Sequence, residues 1–145
     1  MKQENINYIH RINCLFSETD AIYHEAALKL HISDSVMYVL YMIHEKGEDC
    51  LLSDIYKNTG ICKQTINSAI RKLENEAILY LKPYSGRAKK VCLTDKGKQY
   101  MEQTAVRVFH AECKAYESWS EEEIHLYLQL MEKYNRSLRE QINRW

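Results

Sequence analysis

The chain has 145 residues, 46% of them apolar, and its 20 basic and 20 acidic side chains cancel to a formal charge of zero. That is enough for one domain with a real core, and the ordinary apolar content argues against disorder. No run approaches the ~18 apolar residues of a membrane span, and the N-terminal "MKQENINYIHRINC" is too polar for a signal peptide, so a cytoplasmic protein with no membrane partner is expected.

From residue 3 to about 29, Ile6, Ile9, Ile12 and Phe16, then Ile22, Ala26 and Lys29, recur at helical spacing. Ser17-x-x-Asp20 resembles an internal capping signal, so this segment reads as two helices or one kinked helix. Ser33 and Asp34 then open a helix through "VMYVLYMIHEK", ended by Gly47. A short helix, "SDIYKNT", leads through Gly60 to a helix within "TGICKQTINSAIRKLENEAIL". Two β-type runs follow, "ILYLK" and "KVCLT", joined by the turn "PYSG". Gly97, in "LTDKG", precedes a long helical segment. Ser120-x-x-Glu123 is a capping box for a last helix, in which Ile124, Met131, Leu138 and Trp145 keep a seven-residue repeat supplemented by Leu128 and Ile142. The expected fold is mainly α: a winged helix-turn-helix with long N- and C-terminal dimerisation helices and a two-stranded β wing.

Zero net charge hides a partition. Residues 1–60 carry 5 basic and 9 acidic side chains, residues 61–98 carry 9 and 3, and residues 99–145 carry 6 and 8. The positive field is confined to the central block, as expected of a basic patch with a polyanionic partner. Five cysteines (Cys14, Cys50, Cys62, Cys92, Cys113) are scattered with no C-x-x-C pair, which is neither a disulfide framework nor a zinc knuckle. They read as small apolar residues of a reducing compartment.

In the central helix Ile61, Ile66, Ile70, Leu73 and Ala77 define a buried face. Gln64, Thr65, Ser68 and Arg71 share the opposite flank, bordered by Lys63, Asn67 and Lys72. Such residues suit a major groove. Gln and Asn can pair bidentately with adenine, Arg with guanine, and Thr offers its methyl to thymine. Ser and Lys, with the helix N-terminal amides, suit phosphates. A merely solvated polar face is the plainer explanation, and the context weighs against it: a Gly-turned helix before, a basic hairpin after. In that hairpin Lys82, Arg87, Lys89 and Lys90 surround the turn, and an Arg at the tip can enter a narrow minor groove. Lysines that merely protect a hairpin edge are the alternative for Lys89 and Lys90.

The stretch "KQTINSAIRKLENEAI", followed by "LTDKG", resembles the recognition helix and post-wing motif of the MarR family of bacterial transcriptional regulators, and the flanking helices have that family's order. Cys62 stands where the family usually has a Ser N-cap, Ala77 where it has Gly, and Ser85-Gly86-Arg87 where members often carry Asp-x-Arg. The resemblance implies a homodimeric regulator of double-stranded DNA, and no motif of the sequence adds a cofactor, metal or enzymatic site. It is expected to act as a repressor released from a pseudo-palindromic operator by a small aromatic effector. The implied organisation is an N-terminal dimerisation helix (1–32), a DNA-binding lobe (33–98) and C-terminal dimerisation helices (99–145). DNA contacts fall on Ser53, Cys62, Lys63, Gln64, Thr65, Asn67, Ser68, Arg71, Lys72, Arg87, Lys89 and Lys90. Ile6, Ile9, Ile12 and Phe16, with Ile124, Leu128, Met131, Leu138, Ile142 and Trp145, would form the dimer body.

An effector pocket can be drawn around Tyr23, His24, Tyr38 and Tyr41, although core aromatics with satisfied hydroxyls are the simpler explanation. Glu18, Asp20, His24, His110 and Cys113 can be combined into a metal site, but no H-x-x-x-H or C-x-x-C spacing supports it. Cys14 is the thiol best placed to sense oxidants. A redox- or metal-responsive regulator of the same fold, or a winged-helix module binding protein or RNA, are therefore the other readings. No Ser/His/Asp order, phosphate loop or carboxylate pair points to an enzyme.

Overall fold

A computed structural model of the chain describes residues 3–57 and 59–145; Met1 and Lys2, in the expected dimerisation segment 1–32, and Asn58, in the expected short helix, lie outside the described residues. The elements are α1 (Gln3–Lys29), α2 (Asp34–Lys46), a 3-10 turn (Gly47–Asp49), α3 (Leu52–Ile55), α4 (Lys63–Asn75), β1 (Leu79–Ser85), β2 (Ala88–Leu93), α5 (Asp95–Gln103), α6 (Ala105–Tyr116) and α7 (Glu121–Ile142). The mainly helical, winged helix-turn-helix class is the one expected. Packing separates two compact units between Phe109 and His110.

The first unit is built around α2. Its Val36, Val39, Leu40 and Ile43 are buried with Ile55 of α3, Ile66, Ile70 and Leu73 of α4, and Leu79 and Val91 of the hairpin. The 3.6-residue period of α2 and α4 and the two-residue period of the strands thus converge on one core. Ser33 caps α2, its hydroxyl accepting from Val36 N, and Gly47 ends it, as the sequence suggests.

Two helices end in the left-handed region on residues other than glycine. After α4 the Ala77 N–H donates to Glu74 O at 2.9 Å and Ile78 N–H to Leu73 O at 2.9 Å, with Ala77 at φ +53°. After α1 the His31 N–H donates to Leu28 O and Ile32 N–H to Ala27 O, with His31 at φ +56°. Both are Schellman closures, secured by the apolar contact that follows them.

Several local expectations are revised. The capping signal at Ser17 does not interrupt α1, which is continuous; Thr19 returns its hydroxyl to Leu15 O at 3.0 Å within the helix. The short helix stops at Ile55. The hairpin turn is Gly86-Arg87 and not "PYSG": β1 runs on through Pro83, and Ser85 pairs with Ala88 across the turn. Proline is tolerated because β1 is an outer strand that needs no donor there, and the ladder slips between Pro83 and Ser85. Beyond β2, Leu51 bridges Lys90 and Val91 N–H donates to Cys50 O at 2.9 Å, adding a rudimentary third strand.

Gly97 lies inside α5, where its N–H donates to the capping hydroxyl of Thr94. The long segment after it divides at Thr104, whose backbone leaves the helical region (φ −126°, ψ −95°) while its buried hydroxyl donates to Tyr100 O at 2.7 Å. In the second unit, α7 opens on the Ser120/Glu123 capping box, both bonds present. Trp119 stacks edge-on against Tyr116 and Tyr127 at centroid distances of 5.2 and 5.5 Å.

Two substitutions probe the joint after α4 in opposite senses. A Cβ on Gly97 would lie 1.8 Å from Ile78 O, so Gly97→Ala is expected to destabilise by at least about 3 kcal/mol. Ala77→Gly removes left-handed strain and is expected to stabilise by roughly 0.5–1 kcal/mol. Urea denaturation midpoints check both.

Candidate nucleic-acid interface

The exposed side of α4 is continuous. Lys63, Gln64, Thr65, Asn67, Ser68, Arg71 and Lys72 are all exposed, while Ile66, Ala69, Ile70 and Leu73 turn inward. Burial therefore leaves the predicted reading face in the open on a helix with no acid in its first turn. Ser68 returns its hydroxyl to Gln64 O at 3.0 Å, which is a local helix bond. Ser53 is exposed on α3, one element earlier.

Cys62 is the N-cap of α4, but its sulfur makes no capping bond to the backbone. It lies 3.0 Å from the Thr65 hydroxyl. The hydrogen bond from that hydroxyl, helped by the amides of Thr65 and Gln64, holds the exposed thiol below the ordinary cysteine range. Cys50 is the opposite case. It is fully buried behind the 3-10 turn, and desolvation first, then the charge of Asp54, pushes its thiol up to about 11.

Sequence reasoning passed over Tyr56, the C-cap residue of α3. Its hydroxyl donates to Asn67 Oδ1, and Lys63 Nζ sits over its ring, 4.8 Å from the centroid. Half-buried, Tyr56 has its phenol pKa raised by desolvation and stays a donor. An aromatic three residues past Ser53 was the available signal, but only the fold shows which residues of α4 it meets. Asp54 steadies the same corner: its carboxylate accepts from Leu51 N and from Lys57, and the Lys57 bond leads in lowering its pKa.

In the wing, Arg87 stands exposed in the two-residue turn with Gly86 at φ +55°, and Lys89 is exposed beside it. Lys90 is half-buried and reaches Asp49 at 3.2 Å, so part of its charge is already answered. Lys82 stands directly opposite Lys90 across the ladder.

The proposed effector residues are placed as follows. Tyr23 is exposed on α1. His24 meets the Asp34 carboxylate at 2.9 Å, an exposed pair between α1 and α2. Tyr38 donates to Ile55 O at 3.1 Å and Lys57 O at 3.3 Å, tying α2 to the end of α3, and Tyr41 packs half-buried on the core. An open cavity of about 440 Å³ lies elsewhere, lined by His44, Tyr80, Lys90, Cys92, Lys98 and Met101 among others, and none of the four lines it. Among the described residues no group of three or more His, Cys, Asp and Glu is placed to hold a metal ion, and no helix is long and apolar enough to cross a membrane.

The apolar stripes at the two ends of the chain face outward. Ile9, Ile12 and Phe16 of α1 are exposed and Ile6 is half-buried. On α7, Leu128, Leu138 and Ile142 are exposed, Ile124 and Met131 half-buried, and Trp145 beyond it is 96% exposed. No residue of α7 is buried.

A two-stranded wing after α4, and the short helix α3 before the turn that leads into α4, define a winged helix-turn-helix fold. No protein-family model matches the chain, and no curated protein does. Solved structures do. The S. aureus MepR–DNA complex superposes with a TM-score of 0.71 at 19% identity over 90% of this chain and 96% of that one. A MarR-family regulator from Silicibacter pomeroyi gives 0.68 at 13% identity, over 88% and 86%. A MarR protein from Peptoclostridium difficile gives 0.67 at 18% identity, over 97% and 93%. The chain has the fold of the MarR family of transcriptional regulators, shared at low identity across nearly its whole length.

Thiol chemistry checks the local electrostatics. In the folded protein Cys62 should alkylate with a pH midpoint below that of an ordinary thiol, whereas Cys50 should stay unmodified at neutral pH until the protein is denatured. Mass spectrometry after timed iodoacetamide pulses resolves the two.

Proposed function

We propose that this chain is a sequence-specific, double-stranded-DNA-binding transcriptional regulator that works as a homodimer. The observation that carries the reading is the outward face of α4, whose seven exposed polar and basic side chains share one lobe with a hairpin ending in Arg87. Gln64, Thr65, Asn67 and Arg71 meet base edges in the major groove. Ser53, Cys62, Lys63, Ser68 and Lys72 meet the backbone, and Arg87 with Lys89 and Lys90 serves the wing. The likeness to a structure solved as a DNA complex supports the same assignment.

Residues 33–98 act as the DNA-binding lobe, with 1–32 and 99–145 as the dimer body. A chain that leaves Leu128, Leu138 and Ile142 in solvent at helical spacing has an apolar surface that a second copy covers. Two lobes then address successive major grooves of a pseudo-palindrome, about 34 Å apart. The regulator represses, and a small aromatic effector releases it. Tyr23, His24 and Tyr41 are the contacts proposed for that effector, and Tyr38 carries the signal into α3 through its bonds to Ile55 O and Lys57 O.

Fluorescence anisotropy against duplex DNA from upstream of the chain's own gene, with a scrambled duplex as competitor, tests the reading. A preference on the order of 10³ and a steep salt slope are expected. Arg87→Ala should weaken binding about tenfold and reduce the salt slope by about 1. Equal, weak binding to both duplexes would sink the proposal. Light scattering tests the assembly separately: the wild type is expected at twice the 17.2 kDa chain mass, and Leu128→Glu with Leu138→Glu at the chain mass itself.

A further inference from the structure

The residue that organises the reading face of α4 is not on α4. Tyr56 holds two of its side chains at once, Asn67 through the hydroxyl and Lys63 through the ring. We propose that Tyr56 sets the sequence preference of α4 by fixing Asn67 as a hydrogen-bond donor, so that Asn67 reads the acceptor edge of guanine instead of pairing with adenine. The proposal rests on the DNA-binding reading above and names what that site recognises.

A free asparagine amide offers one acceptor and two donor hydrogens, and adenine answers both with its N6 amino group and N7. Asn67 is not free in this sense. The Tyr56 hydroxyl donates into its Oδ1, which directs the carbonyl to α3; turned over, the amide would have to exchange that bond for one from its amino group into the phenol oxygen. What remains for a ligand is the amino group. Guanine presents N7 and O6, both acceptors, to such a group; adenine would set its own amino hydrogens against it. Tyr56 is half-buried at the end of α3, and the neighbouring backbone is pinned by Tyr38, whose hydroxyl donates to Ile55 O and Lys57 O. The donor that orients Asn67 is therefore itself held in place. Lys63, stacked on the same ring in the first turn of α4, remains available to a phosphate.

Selection of bound duplexes from a random-sequence library, followed by sequencing, tests this with the wild type and three variants. Tyr56→Phe removes the hydroxyl and keeps the ring under Lys63. Wild-type sites should carry guanine at one position per half-site, and Asn67→Ala should lose the preference at that position alone. Tyr56→Phe should admit adenine there, the guanine-to-adenine ratio falling about tenfold, with an unchanged salt slope because Lys63 keeps its support. Asn67→Asp, which leaves α3 untouched, should move the preference to cytosine, whose N4 amino group needs an acceptor. A Tyr56→Phe profile identical to the wild type, or adenine at the Asn67 position in the wild type, would overturn the proposal while leaving the DNA-binding reading intact. A wild-type pool with no enriched sequence removes that reading, and the proposal with it.

Discussion

The winged-helix unit is assembled around the peptide of Ile78. Its N–H closes the last turn of α4 on Leu73 O, and its carbonyl accepts from Thr94, by the amide at 3.1 Å and the hydroxyl at 3.2 Å. The Thr94 hydroxyl also reaches Ala77 O and caps α5, and Lys96 donates to Glu76 O at 2.7 Å. Gly97 completes the joint, because only a residue without a side chain lets the first turn of α5 rest on Ile78 O. The helix α4, the hairpin and α5 thus share one hydrogen-bonded knot, with the Ile78 side chain fully in the core. Ala77 accepts a left-handed backbone at this point because Leu73 and Ile78, buried on either side of it, make the closure worth its strain.

What the sequence made legible was what short-range physics determines. The Ser33 and Ser120 caps, the Gly47 stop and the Ile66, Ile70 and Leu73 part of the buried face of α4 follow from spacing and from the hydrogen-bonding capacity of single residues, and the structure has them where they were expected. Ile61 before the helix is only half-buried, and Ala77, also expected in that face, is exposed because the helix closes ahead of it. What it hid depends on partners distant in the chain. Pro83 looked like a turn residue until β1 proved to be an outer strand with nothing to bond on that side. The Leu51–Lys90 bridge joins residues with no pattern of their own. Tyr56 is undistinguished in sequence, and its importance comes from lying beneath α4. Ser17 has the makings of a cap, yet the turns on both sides of it favour continuation, and α1 runs through.

The same division holds for the candidate site. The face of α4 was readable because a helix that buries one side must expose the other, so its members follow from periodicity alone. Their chemical roles were not readable. Lys90 spends part of its charge on Asp49, Asn67 is engaged by Tyr56, and Ser68 bonds within its own helix. Gln64, Arg71 and Arg87 stand exposed at the head, flank and tip of the surface. In the second unit the heptad stripe of α7 was equally plain in sequence; none of it is buried, with Ile124 and Met131 half-covered and Leu138 and Trp145 exposed.

The pairing of Lys82 with Lys90 gives the hairpin a divided response to its ionic medium. Two ammonium groups directly opposed on one face of a ladder repel each other, and Asp49 answers only one of them. Added salt relieves that repulsion and firms the hairpin, while the same ions compete for any phosphate that the hairpin would hold. The order of this element and any hold it had on a polyanion would therefore move in contrary directions with ionic strength. A strand of phosphates laid across the pair would supply the missing counter-charge, and the wing would be most ordered when it is occupied.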